Sequence, residues 1–208
     1  MIYILLIYLI AGAVLFFYQR KLIYFPTGKI RHSYELLKLE NGKETLEVIV
    51  LNPGKNKALL YFGGNAEAVV HNAVDFLTAF PLHTVYLFNY RGYGGSSGQP
   101  TEEGIYSDAL SLFDKVQEKQ AKISVMGRSL GSGAATYLAS KRSVEKMVLV
   151  SPYDSIKNVA QNKFPIYPMF LLLKDKYDSI GRVKEIQAKT IVLIAENDKV
   201  IPKKHSLR

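Results

Sequence analysis

Residues 123–131 read Ile-Ser-Val-Met-Gly-Arg-Ser-Leu-Gly, and residues 132–140, Ser-Gly-Ala-Ala-Thr-Tyr-Leu-Ala-Ser, follow without a break. The first four residues suit a short buried strand, and residues 130–140 suit a helix. Between them lies G-x-S-x-G, formed by Gly127, Ser129 and Gly131, in a strand–turn–helix setting. A turn this sharp lifts the serine hydroxyl clear of the sheet, and a side chain at either flanking position would collide with its neighbours. Ser129 is therefore predicted to be a nucleophile. The competing role is that of a small residue packed at a strand–helix junction.

Working outward, residues 45–51 and 59–62 read as strands, separated by the turn Asn52-Pro53-Gly54. Residues 66–80 carry Val69, Val70, Ala73, Val74, Leu77 and Phe80 at helical spacing, ended by Pro81. Residues 84–90 form a strand. Residues 101–120 form a helix, with Glu102 and Glu103 in its first turn. Residues 147–150 and 190–195 are further strands, with an apolar, Pro-interrupted patch at 164–173 between them. Near-continuous apolar strands alternating with amphipathic helices predict an α/β fold, a mostly parallel sheet covered on both faces. Ligands bind such sheets beyond the carboxyl ends of the strands.

An acyl substrate attacked by Ser129 develops an oxyanion, which needs donors already in place. The N–H of Leu130 is one. The loop Phe62-Gly63-Gly64-Asn65-Ala66 supplies the second through Asn65, its two glycines letting the main chain approach the substrate. The alternative is a glycine cap and an Asn N-cap without catalytic duty.

The chain has 208 residues, 48% hydrophobic and 22% charged, enough for one large core. It has no cysteine, which excludes disulfides, thiolate metal sites and a cysteine nucleophile. The net charge is +9, but the basic residues are scattered and no nucleic-acid motif accompanies them, so nucleic acid is not an expected partner. A membrane surface is, because residues 2–18 are uncharged, close to the ~17 residues that just span a bilayer. Ala11-Gly12-Ala13 resembles a signal-peptide cleavage site, yet no basic segment precedes it. A buried core helix is the third reading. Arg20, Lys21, Lys29 and Arg31 follow with no acid among them, which favours a single-pass anchor with the downstream domain in the cytoplasm. The predicted organisation is an anchor at 1–18, a juxtamembrane segment at 19–44 and a catalytic domain at 45–208.

Several motifs taken in order make the likeness specific. They are Gly63-Gly64-Asn65-Ala66; Asn89-Tyr90-Arg91-Gly92-Tyr93-Gly94 with Ser96, Gly98, Pro100 and Glu103; Gly127-Arg128-Ser129-Leu130-Gly131; and Ser151-Pro152-Tyr153-Asp154-Ser155. From about Arg20 onward the chain resembles membrane-anchored α/β-hydrolase-domain proteins, often labelled serine-aminopeptidase-like or dienelactone-hydrolase-like. It departs at Gly63, where that family usually carries His. The resemblance implies cleavage of acyl esters, thioesters or amides through an acyl-enzyme, with a small acyl-type substrate and neither metal nor organic cofactor. It makes the Arg91–Gly94 loop structural and leaves Ser96 and Ser97 without a catalytic role. It also implies that Asp198 is the triad acid, with Glu196 and Asp154 as competitors and a buried structural carboxylate as the alternative.

The expected chain order is serine, acid, histidine, the histidine following one further strand. Only ten residues follow Asp198, so the C-terminal strand and helix of the fold, with the histidine, are expected to be missing. His205, the one histidine after Asp198, is the remaining candidate for the base, at a position where the family commonly has a histidine that is not the base. His32, His71 and His83 fall on the wrong elements. The sequence thus predicts a weak or inactive hydrolase. A catalytically silent membrane protein that binds lipid or a protein partner is the alternative.

Overall fold

The computed structural model describes residues 2–196, 198 and 200–207. Its first element is helix α1 (Ile2–Ile23), apolar almost throughout. Its length and composition suffice to cross a membrane, and Ile4, Leu9, Val14 and Phe17 are all more than half exposed. Strands β1 (Glu35–Asn41) and β2 (Glu44–Leu51) form an antiparallel hairpin closed at Gly42, whose φ of +65° suits glycine. Strand β1 lies inside the stretch read as juxtamembrane. Strand β3 (Lys57–Phe62) leads through a 3₁₀ turn (Val69–Asn72) into α2 (Ala73–Ala79). Then come β4 (His83–Phe88), α3 (Glu102–Gln117), β5 (Lys122–Arg128), α4 (Leu130–Lys141) and β6 (Lys146–Val150). Helices α5 (Ile156–Lys163) and α6 (Met169–Leu172) form a cap, followed by β7 (Lys189–Leu193) and α7 (Lys203–Ser206).

The strands form one sheet in the order β1-β2-β4-β3-β5-β6-β7. From β4 to β7 every pairing is parallel, and β2 runs antiparallel to both of its neighbours. The apolar runs explain this: β2, β3 and β4 are buried on both sides, as strands of a doubly covered sheet must be. Leu60, Phe62, Phe88 and Val125 pack against Ile105, Leu112 and Phe113 of α3 and Ala134 and Leu138 of α4. Leu59, Tyr61, Val85 and Leu87 face the other way, toward Val69 and Ala73. Strand β7 lies at the sheet edge, with Ile191 and Leu193 more than half exposed.

The helix expected over 66–80 is broken. Ala66 takes a φ of +56°, and the regular α-helix begins only at Ala73. The cause is Glu67, whose carboxylate accepts from the Tyr61 hydroxyl at 2.6 Å, the Gly64 N–H at 2.6 Å and the Asn72 amide at 2.5 Å. These bonds hold residues 63–68 as a loop over the sheet end.

Candidate active site

Strand β5 ends at Arg128, and Ser129 turns the chain into α4 with φ +49° and ψ −116°. A side chain in this sparsely populated region costs about 1–3 kcal/mol, which the surroundings must hold in place. They do so through the Ser129 N–H, which donates to the Val150 carbonyl at 2.9 Å. They also do so through Ser132, whose N–H and hydroxyl both donate to the Ser129 carbonyl. The flanking glycines have steric causes. A Cβ on Gly131 would lie 2.0 Å from the Phe62 carbonyl oxygen, and one on Gly127 would lie 2.5 Å from that of Gly131.

The loop after β3 lies against this elbow. A Cβ on Gly64 would sit 3.8 Å from the Ser129 Cβ, and a Cβ on Gly63 would meet Val69 at 2.8 Å. Asn65 does not open a helix. Its carboxamide oxygen accepts from the Phe25 N–H at 3.0 Å and the Tyr93 hydroxyl at 2.9 Å, while its nitrogen donates to the Ile23 carbonyl at 2.6 Å. The side chain is thus consumed in anchoring the end of α1. Among the described residues, neither the Asn65 N–H nor the Leu130 N–H donates to another group. The loop is braced from below by Tyr90, whose hydroxyl donates to the Gly63 carbonyl at 2.7 Å. Ser96 and Ser97 serve structure: the Ser96 hydroxyl accepts from the Glu47 N–H and donates to the Asn89 carbonyl, and that of Ser97 donates to Glu44.

Asn65, Ser129 and Leu130 line one cavity of about 410 Å³, walled otherwise mostly by apolar side chains of α1, α5 and α6 and by Val200 and Ile201, with Gln19 and Lys163 as polar members of the wall. None of the four histidines lines it. Asp198 sits beyond the end of β7, its carboxylate accepting from the N–H groups of Val200 and Ile201, both at 2.8 Å, and from Ser151. Burial pushes its pKa up, but these donors outweigh it and hold the carboxyl below its ordinary value.

His205 pairs with the competing acid instead. Its Nδ1 lies 2.9 Å from Asp154 Oδ1, both side chains buried, and its Nε2 meets the Asn162 amide. The pair lines a second cavity of about 260 Å³, whose wall does not include Ser129. Burial raises the pKa of Asp154, yet the Asn158 amide, the Ser155 N–H and His205 together keep it below the ordinary carboxylate value. A carboxyl whose folded pKa is depressed adds stability that is present above the unfolded pKa, ~3.9, and lost as pH falls through the folded value. Unfolding midpoints should therefore hold down to about pH 4 and drop below it. Asp154→Asn should lower the midpoint at pH 6 but flatten the acid limb, and an unchanged limb would mean that other carboxylates govern it. Among the described residues, no group of three or more His, Asp or Glu side chains is arranged to hold a metal.

Two features of the site carried no sequence signal strong enough to find them. Glu67 orders the loop beside Ser129 and lies 3.6 Å from Arg128 of the elbow. The acidic residue just after Gly-Gly-Asn-Ala was its only trace. The second is the wall contributed by α1, through Leu15, Gln19, Leu22 and Ile23.

The family model described as alpha/beta hydrolase fold matches residues 47–174. An uncharacterized protein of Mycobacterium tuberculosis is 33% identical over 92% of this chain and 75% of its own. The lysophosphatidylserine lipase ABHD12 of Gallus gallus is 30% identical over 80% of this chain and 50% of its own. Among solved structures, the Pyrococcus furiosus esterase Pf2001 superposes with a TM-score of 0.68 over 88% of this chain and 80% of that one, at 16% identity, a likeness of fold.

Proposed function

The chain belongs to the α/β-hydrolase family, and from that premise we propose that it is a membrane-anchored serine hydrolase of acyl esters. The observation that carries this reading is the strained Ser129 opening into a mostly apolar cavity beside two unengaged N–H groups. Ser129 Oγ attacks the ester carbonyl, and the oxyanion is met by the N–H groups of Leu130 and Asn65. Collapse of the tetrahedral species expels the alcohol and leaves an acyl-serine, which water then cleaves. Asp198 is proposed as the triad acid, the group that would orient a base. An ester is favoured over an amide by the apolar cavity and by the lipase among its relatives. In this reading helix α1 is the bilayer anchor, and the basic residues Arg20, Lys21, Lys29 and Arg31 that follow it favour a cytoplasmic domain. Neither metal nor organic cofactor enters these steps.

No residue of the cavity is assigned the base, since the His205 ring is held by Asp154 and Asn162. That engagement favours a second reading, a silent lipid-binding protein with the same fold. Imidazole in solution separates the two. A positioned general base contributes about 10²–10⁴-fold. Added imidazole, acting from solution on a ready nucleophile, should therefore raise turnover of 4-nitrophenyl esters at least about tenfold above its own background. Stimulation no greater than for imidazole alone would favour the silent reading.

A further inference from the structure

Helix α1 is docked to the domain along more than half its length. Its Gln19 is buried, donating to the Leu172 carbonyl at 3.0 Å and accepting from the Lys174 N–H at 2.7 Å, and Arg20 pairs with Asp175 at 2.9 Å. Eleven residues earlier, about 16 Å along the axis, Tyr8 stacks on Tyr167 with ring centroids 4.7 Å apart. The Tyr8 hydroxyl donates to the Ile166 carbonyl at 2.9 Å, and a Cβ on Gly12 would come within 3.2 Å of the Tyr167 ring. The cap that carries Ile166, Phe170 and Leu171 therefore lies beside the middle of α1, and these three side chains are 69%, 59% and 68% exposed. With α1 across a bilayer and Arg20 at the interface, that apolar cap edge sits at hydrocarbon depth. Three large apolar side chains exposed along one cap edge form the kind of patch that marks a membrane or protein contact.

The cavity that holds Ser129 lies between α1 and this cap. Leu15 and Ile23 line it from α1, and Phe164, Met169 and Leu172 line it from the cap. At about 410 Å³ it falls within the ~300–1,000 Å³ usual for small-molecule sites. We propose that α1 is one wall of the acyl-binding site, and that a single alkyl chain enters the cavity sideways from the bilayer, between α1 and the cap. The anchor then selects substrate as well as holding the enzyme. This rests on the ester-hydrolase reading for what happens to the chain, although the seating of the chain is independent of it.

Seating is tested on Ser129→Ala protein, which removes any dependence on turnover. The full chain in phosphatidylcholine nanodiscs is irradiated with a 1-O-alkyl glycerol bearing a terminal diazirine, and labelled residues are mapped by mass spectrometry. Lipid-facing Leu9 and Phe17 of α1 serve as internal controls, because any membrane probe reaches them. The expected result is additional labelling of Leu15, Ile23, Phe164 and Leu172, competed by an unmodified long-chain monoacylglycerol. Filling the cavity should cut that additional labelling about tenfold, in Leu15→Trp and separately in Ile23→Trp, while Leu9 and Phe17 label as before. Labelling confined to the lipid-facing residues, or undiminished by both tryptophans, would overturn the proposal. If the cavity labels as expected and imidazole-driven hydrolysis fails, the seating stands and the catalytic reading falls.

Discussion

Ser129→Ala protein, assayed with an acyl ester in the presence of imidazole, is expected to lose the whole stimulated turnover, a fall of at least about tenfold to the background of imidazole alone. The reason is that the hydroxyl is the bond-forming atom, and no neighbouring group in the cavity replaces it. Ser129→Gly sharpens the test by separating chemistry from stability. Glycine accepts a φ of +49° without the Cβ conflict that serine endures. The glycine variant should therefore be equally inactive, yet about 1 kcal/mol more stable, a rise in unfolding midpoint of roughly 2–4 °C. A serine retained only for packing would give the opposite pattern, with the midpoint falling in both variants and turnover following the folded fraction.

The largest stability effect is expected at Asp108. This carboxylate is fully buried and receives Arg91 through two bonds of 2.7 Å, with the Asn41 amide as a third donor at 2.7 Å. Arg91 begins the turn Arg91-Gly92-Tyr93-Gly94, in which Gly92 and Gly94 take φ +79° and +56°. That turn carries Tyr93, whose hydroxyl donates to Asn65 beside the elbow. Asp108→Ala leaves a half-buried guanidinium without its partner, a loss of about 3–5 kcal/mol. For a domain of this size that lowers the midpoint by roughly 6–20 °C. The double change Arg91→Met with Asp108→Leu removes both charges and should recover most of the loss. A single-variant loss under ~1 kcal/mol would mean that the pair behaves as an exposed one.

These two sites differ in how visible they were beforehand. The elbow was legible because all its determinants lie within nine residues: an apolar strand, two glycines that admit no Cβ, and a helix former beyond. The strands β2, β3 and β4 were legible for the same local reason, apolar runs bounded by turn residues. The break in the helix over 66–80 was not, because helical spacing of apolar residues says nothing of Glu67 reaching Tyr61 and Gly64. Strand β1 was missed because it is an edge strand with charged residues between its leucines. Its sole signal was Asn41-Gly42 at the hairpin.

The pairing of His205 with Asp154, across 51 residues, is a tertiary fact with no local signature. Their union clamps α7 onto the loop after β6, reinforced by the Ser206 hydroxyl donating to the Pro152 carbonyl at 2.6 Å. Asp198, on the loop between β7 and α7, is thereby held near Ser151. The docking of α1 was equally hidden. A run of apolar residues announces a helix long enough to cross a membrane, but the buried Gln19 and the stacked Tyr8 are what bring that helix against the cavity.

The most direct measurement is the site of covalent capture. The full chain in nanodiscs is exposed to a fluorophosphonate with imidazole present, digested, and its phosphonylated residue located by tandem mass spectrometry. The modification is expected on Ser129 alone, and absent from the Ser129→Ala chain. Modification of any other residue, or its persistence after that substitution, would contradict the assignment of Ser129 as the nucleophile.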